Sequence, residues 1–167
     1  MRILIACVGN IFLGDDGFGV EVARRLAFQT LPREVVVKDF GIRGFDLAYA
    51  MMDWPDLTIL VDACSRGFVP GTVFLLEPDP VSEGQPAFEP HGMNPMNVLR
   101  MVKGLGGEPG RVLIVGCEPA ELGSDNDGQL GLSEPVEAAV DEAINLIESL
   151  VSKTLVGEQL SILQGER

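Results

Sequence analysis

The feature that most constrains this chain is a set of short apolar runs without polar alternation. Arg2–Val8 (RILIACV), Leu57–Val61 (LTILV) and most of Arg111–Cys117 (RVLIVGC) are of this kind. A strand with one wet face alternates apolar and polar residues, whereas an unbroken apolar run is buried on both faces. Such strands need helices above and below. Asp16–Phe28 reads as a helix with Val22, Ala23, Leu26 and Ala27 as its inward stripe. Ser133 caps a last helix in which Val136, Val140, Ala143, Ile147 and Val151 recur at helical spacing. Glu34–Asp39 and Thr72–Glu77 read as further strands, and Pro70-Gly71 marks the turn into the second. Gly44–Met52 reads as a short helix. Asn94-Pro95 opens another, to about Lys103, with asparagine as N-cap and proline in the first turn. Asp79–Pro95 reads as a long loop and Gly104–Gly110 as a glycine-rich connection. Strands alternating with helices predict an α/β sandwich with a mostly parallel sheet of about five strands. The 167 residues suit one domain, residues 1–152, with a weakly patterned tail over 153–167 that is expected to fray.

A hydrophobic share of 46% excludes a disordered chain. No apolar run approaches the roughly 20 residues of a membrane span. The N-terminal apolar stretch is too short for a signal peptide and runs into glycine and two aspartates. A net charge of −13 argues against nucleic acid and anionic membranes, which attract basic surfaces. It suits solubility, a cation or a basic partner segment. Cys7, Cys64 and Cys117 are odd in number and form no CxxC pair, which predicts free thiols in a reducing, cytoplasmic setting.

In open parallel sheets ligands bind beyond the carboxyl ends of the strands, so the residues ending each apolar run are the candidates. The first run leads into Gly9-Asn10-Ile11-Phe12-Leu13-Gly14-Asp15-Asp16-Gly17. Gly9 and Gly14 have the look of a phosphate loop, but Asp15-Asp16 stand where that loop needs Lys-Ser/Thr, and the Rossmann glycine spacing is absent. Two carboxylates repel phosphate and attract a cation. Helix capping accounts for one of them and poorly for two. The third strand ends in Asp62, which is either a turn aspartate bonding its own backbone or a carboxylate awaiting a partner. His91, the only histidine, lies in the loop before a helix. Singly it suits a surface residue. Asp16, Asp62 and His91 together, from three loops at one sheet edge, make an open site of oxygen and nitrogen donors, suited to zinc, nickel, manganese or iron better than to calcium or magnesium. Open positions are what metal-assisted hydrolysis needs. A Cys64–His91 thiol pair has no feature placing it in contact. Asp125-Asn126-Asp127-Gly128 only partly resembles a calcium loop, since Gly123 stands at its first position.

MRILIACVGNIFLGDDGFG resembles the N-terminal signature of the hydrogenase-maturation endopeptidases, G-N-x-L-x-x-D-[DE]-x-x-G after the first strand, with Phe12-Leu13 as its apolar pair. The family's metal-recognising residues map onto Asp16, onto Asp62 in VDACSRG and onto His91. Gly116-Cys117-Glu118-Pro119 is similar to its G-x-E-P, and Gly131-Leu132-Ser133 to its G-L-S before the closing helix. The likeness runs from Met1 to about Val151, with the motifs in order.

The resemblance implies a three-layer α/β/α sandwich of the phosphorylase/hydrolase-like kind, its twisted five-stranded sheet parallel but for one member. It implies an aspartic-type, metal-dependent endopeptidase that removes a C-terminal extension from the precursor of the NiFe hydrogenase large subunit after nickel insertion. Asp16, Asp62 and His91 would be both the catalytic and the metal residues, meeting nickel carried by the substrate, with zinc or cadmium as other occupants. Asp15 and Glu118 stand open as general base, and KDFGIRG (Lys38–Gly44) as a neighbouring loop of the cleft. The partner is that precursor, met by a monomer, with no nucleic acid or membrane involved. Two alternatives remain: a non-catalytic nickel-sensing chaperone for the same precursor, and a metal-dependent hydrolase of a small substrate.

Overall fold

A computed structural model describes residues 1–53, 55–79, 94–123 and 127–157. The apolar runs form the centre of a five-stranded sheet. Its strands are β1 (Ile3–Val8), β2 (Val35–Gly41), β3 (Leu57–Ala63), β4 (Val73–Leu76) and β5 (Arg111–Cys117), in the spatial order β2-β1-β3-β5-β4. All pairs are parallel except β4 with β5. Side chains alternate across each strand. Ile3, Ile5 and Cys7 of β1 therefore join one core, and Leu4, Ala6 and Val8 join the other.

Each core is closed by a pair of helices. The first is covered by α1 (Phe18–Leu26) and α4 (Glu134–Val156), the second by α2 (Gly44–Asp53) and α3 (Pro95–Gly104). This is the expected three-layer sandwich. Helix α1 buries Phe18, Val22 and Leu26, one turn apart, together with Ala23. Ala27, assigned to that stripe by spacing, lies beyond the helix end and is exposed. Arg25 joins α1 to α4 by pairing with Glu21, Glu137 and Asp141.

Two boundaries differ from the sequence reading. Asp15–Gly17 form a separate 3₁₀ turn before α1. Helix α4 runs through Val156 and ends on Gly157 in a left-handed cap, so the start of the expected tail is helical. Asn94 does cap α3, its side chain accepting from the Met96 N–H at 2.9 Å.

The connections matter most for function. From β1 the chain passes by α1, on one face, to β2; from β2 it returns by α2, on the other face, to β3. Strands β2 and β3 thus flank β1 on opposite sides, and the winding reverses between β1 and β3. At such a switch point the loops part and leave a crevice at the carboxyl edge. Helix α1 is drawn tightly over it. A Cβ on Gly19 would lie 2.2 Å from the Val8 carbonyl oxygen and 2.4 Å from that of Val61, so only glycine permits this approach. Gly19→Ala is expected to destabilise the fold by about 2–3 kcal/mol in urea unfolding. Gly104→Ala, with open space around it, is expected to change stability by no more than about 0.5 kcal/mol, in the stabilising direction.

Candidate functional site

Asp15 and Asp16 are adjacent in sequence and opposite in environment. At Gly9 the backbone has φ +144°, and a Cβ there would fall 1.9 Å from the Asp16 carbonyl oxygen, so the loop folds back on the start of the 3₁₀ turn. Successive side chains of such a turn diverge by about 120°. Asp15 points inward and is wholly buried. Its Oδ2 accepts from the N–H groups of Ala120 and Glu121 and from the Ser133 hydroxyl, all at 2.8 Å, and its Oδ1 accepts from the Ser133 N–H at 2.7 Å. Burial raises the proton affinity of this carboxyl, but the donors of Glu121, Ser133 and Ala120 together outweigh it and hold Asp15 below the ordinary range. The charge also lies before the N-terminus of α4, where an anion is favoured. Ser133 occupies the expected N-cap position of α4, yet its hydroxyl serves Asp15 rather than the helix.

Asp16 points toward the crevice and is partly exposed, its Oδ2 accepting from the Asn10 N–H at 2.8 Å. Burial raises its pKa, and the Asn10 bond offsets this in part. Asp62, near the end of β3, is only 5% exposed. Its carboxyl is pushed well above the ordinary range by burial, then by the charge of Asp16, with the Ala63 N–H opposing. No cation enters the balance of either group among the described residues. Two carboxylates that repel each other where β1 and β3 end suit positive charge. Among the described residues no group of three His, Cys, Asp or Glu converges as a metal site. His91 lies outside the described residues. The helix it precedes, α3, covers the same face of β3 as Leu60, and Asp62, two residues on, shares that face. Helix α3 leads into the amino end of β5, so its own N-terminus lies toward the carboxyl edge of the sheet.

The remaining candidates separate clearly. Asp15 is withdrawn from the choice of general base, being inaccessible and filled with donors. Glu118, 6% exposed, receives the N–H of Arg66 at 2.7 Å and of Gly67 at 3.3 Å, and so straps the β3–β4 loop to the end of β5. Sequence reasoning did not find these two structural roles; the only available signal was an acid beside a glycine-rich turn. The KDFGIRG loop lies where expected, since the Gly9 N–H donates to the Gly41 carbonyl at 3.0 Å. The Cys64 thiol is raised far above its usual value by burial, then by Asp62, the reverse of what a thiolate nucleophile needs. Cys7, Cys64 and Cys117 are all free thiols. Asp125 and Asn126 lie outside the described residues.

The fold and site define an α/β sandwich with a buried and a partly exposed carboxylate side by side at its switch point. Comparison with known proteins narrows this class. Residues 20–150 match the model of the HycI family of hydrogenase maturation proteases. The hydrogenase 2 maturation protease of Escherichia coli K12 is 31% identical over 153 residues, 88% of either chain. The solved structure of the hydrogenase-maturating endopeptidase HybD from E. coli superimposes with a TM-score of 0.76 at 29% identity, covering 92% of this chain and 94% of that one. The NiFe hydrogenase maturation protease HycI from Thermococcus kodakarensis gives 0.67 at 27% identity, covering 90% and 92%. The chain belongs to the hydrogenase maturation protease family.

The two inward carboxylates carry opposite predictions. Asp15, held below the ordinary range, stabilises the fold above that range and loses this contribution as pH falls through its own value. Asp15→Ala is expected to cost about 3–5 kcal/mol at neutral pH, as for a buried charge network that loses one member. Asp62, held above the ordinary range, destabilises the fold increasingly as pH rises toward its raised value. Asp62→Asn is expected to be more stable than wild type by about 1–2 kcal/mol at pH 7.5, a gap that closes as pH falls into the ordinary carboxylate range. Urea unfolding across pH checks both.

Proposed function

We propose that this protease removes a C-terminal extension from the nickel-loaded precursor of a NiFe hydrogenase large subunit, with Asp16, Asp62 and His91 meeting the nickel that the precursor carries. The observation behind this reading is the Asp16–Asp62 pair, which the fold brings together at the β1/β3 crevice without a cationic partner among the described residues. A pair so placed is incomplete alone, because the charge of Asp16 works against that of Asp62. A divalent cation relieves the repulsion and shares both carboxylates. A neutral imidazole from His91 adds the nitrogen donor that suits nickel, and zinc or cadmium satisfies the same donor set. The family model and the maturation proteases named above support the reaction class.

The mechanism is chiefly one of placement. Anchoring the precursor's cation at the crevice holds the neighbouring peptide bond at the carboxyl edge and so removes most of the entropic barrier. Hydrolysis adds water across that bond: hydroxyl to the carbonyl carbon, proton to the departing amine. Asp16 is the more exposed of the two acids and so the one more open to water and substrate. The reaction belongs in the cytoplasm with a monomeric enzyme. The net charge of −13 supports a partner other than nucleic acid, and no helix among the described residues is long and apolar enough to cross a membrane.

The test is mass spectrometry of the nickel-loaded precursor incubated with wild type and with Asp16→Asn, Asp62→Asn and His91→Ala. Wild type is expected to release the tail, and each variant to be slowed by at least about 100-fold. Normal processing by all three variants refutes the assignment. A precursor that binds wild type and stays intact points instead to a non-catalytic chaperone.

A further inference from the structure

The loops around the acid pair carry large apolar side chains in the open. Ile11 and Phe12 follow β1, Ile42 follows β2, Phe68 follows β3, and Leu122 and Leu130 follow β5; each is between 46% and 73% exposed. The loops after β1, β2, β3 and β5 all lie at the carboxyl edge, because those strands are parallel. Exposed apolar residues scattered singly carry no meaning, but a set gathered on one edge of a strongly acidic chain does.

These loops are also fastened to one another. The Gln129 N–H donates to the Phe12 carbonyl at 2.7 Å, and the Gly14 N–H to the Gln129 carbonyl at 2.8 Å. The Gly9 N–H reaches Gly41 at 3.0 Å, and Glu118 straps Arg66 and Gly67. Asp15 draws in the segment that holds Leu122. The apolar side chains therefore stand on a preorganised frame around Asp16 and Asp62, and little ordering remains to oppose binding.

We infer that this apolar rim is a docking surface for an apolar face of the hydrogenase precursor that surrounds its cation. The inference rests on the function proposed above. The charge at the centre selects the occupant. A second copy of this chain, docked face to face by two-fold symmetry, would place two acid pairs against each other in a dehydrated contact. An apolar partner without a cation would bury the pair uncompensated. A partner bringing a cation at the centre and apolar surface around it satisfies both parts.

The experiment uses the full chain with Phe12→Ser, Leu130→Ser and the double variant. It measures KM and kcat on nickel-loaded precursor, sedimentation velocity, and thermal melting. Each single variant is expected to raise KM about tenfold, as for loss of one interface anchor, with kcat within about twofold, melting unchanged and wild type monomeric. Wild-type cleavage with unchanged KM in the double variant overturns the inference while leaving the protease reading intact. A wild-type dimer that the variants abolish, again with unchanged KM, assigns the rim to self-association and overturns it also. Should wild type leave the precursor uncut, the protease reading fails and the rim is judged by binding: affinity weakened by the variants upholds it, and affinity unaffected or absent overturns it.

Discussion

The buried carboxylate of Asp15 is the tie on which the site depends. It gathers Ala120, Glu121 and Ser133 from the segment between β5 and α4 and binds them to the turn that ends the first loop. An ionised group without water is tolerated only when donors surround it, and here four bonds do so. The consequence lies one residue away. With Asp15 fixed inward, the turn presents Asp16 to the crevice. The same tie brings the loop bearing Leu122 and Leu130 against the loop bearing Ile11 and Phe12.

Placement at the crevice has a cost. Asp62 is buried near the end of β3, close enough to Asp16 for their charges to oppose. A fold selected for stability alone has no use for that repulsion. The winding reversal between β1 and β3 explains why these two residues meet, since one follows β1 and the other ends β3. Gly9 and Gly19 allow the close backbone approaches that bring loop and helix over those strand ends. The sheet, the glycines and the buried Asp15 thus serve one arrangement.

Much of this was legible in the sequence. The non-alternating runs gave the central strands because burial on both faces removes polar alternation. Asn94-Pro95 gave the start of α3 because capping is local chemistry. Asp62 was legible as an acid ending an apolar run. The division of labour between Asp15 and Asp16 was not. It is decided by donors from Ala120, Glu121 and Ser133, more than a hundred residues away in the chain. For the same reason Ser133 looked like a simple helix cap, and Glu118 looked like a base when it straps a loop. The 3₁₀ turn, which separates the two acids, replaced a helix expected to begin at Asp16. The role of His91 still rests on the motif order in which it stands.

The central claim is that the acid pair recognises the cation carried by the precursor. The most direct test compares nickel-free and nickel-loaded precursor, each incubated with the wild-type chain and weighed by mass spectrometry. The expected result is loss of the C-terminal tail from the nickel-loaded form alone. Equal cleavage of both forms would contradict the claim, since cleavage would then not depend on the cation proposed to meet the Asp16–Asp62 pair.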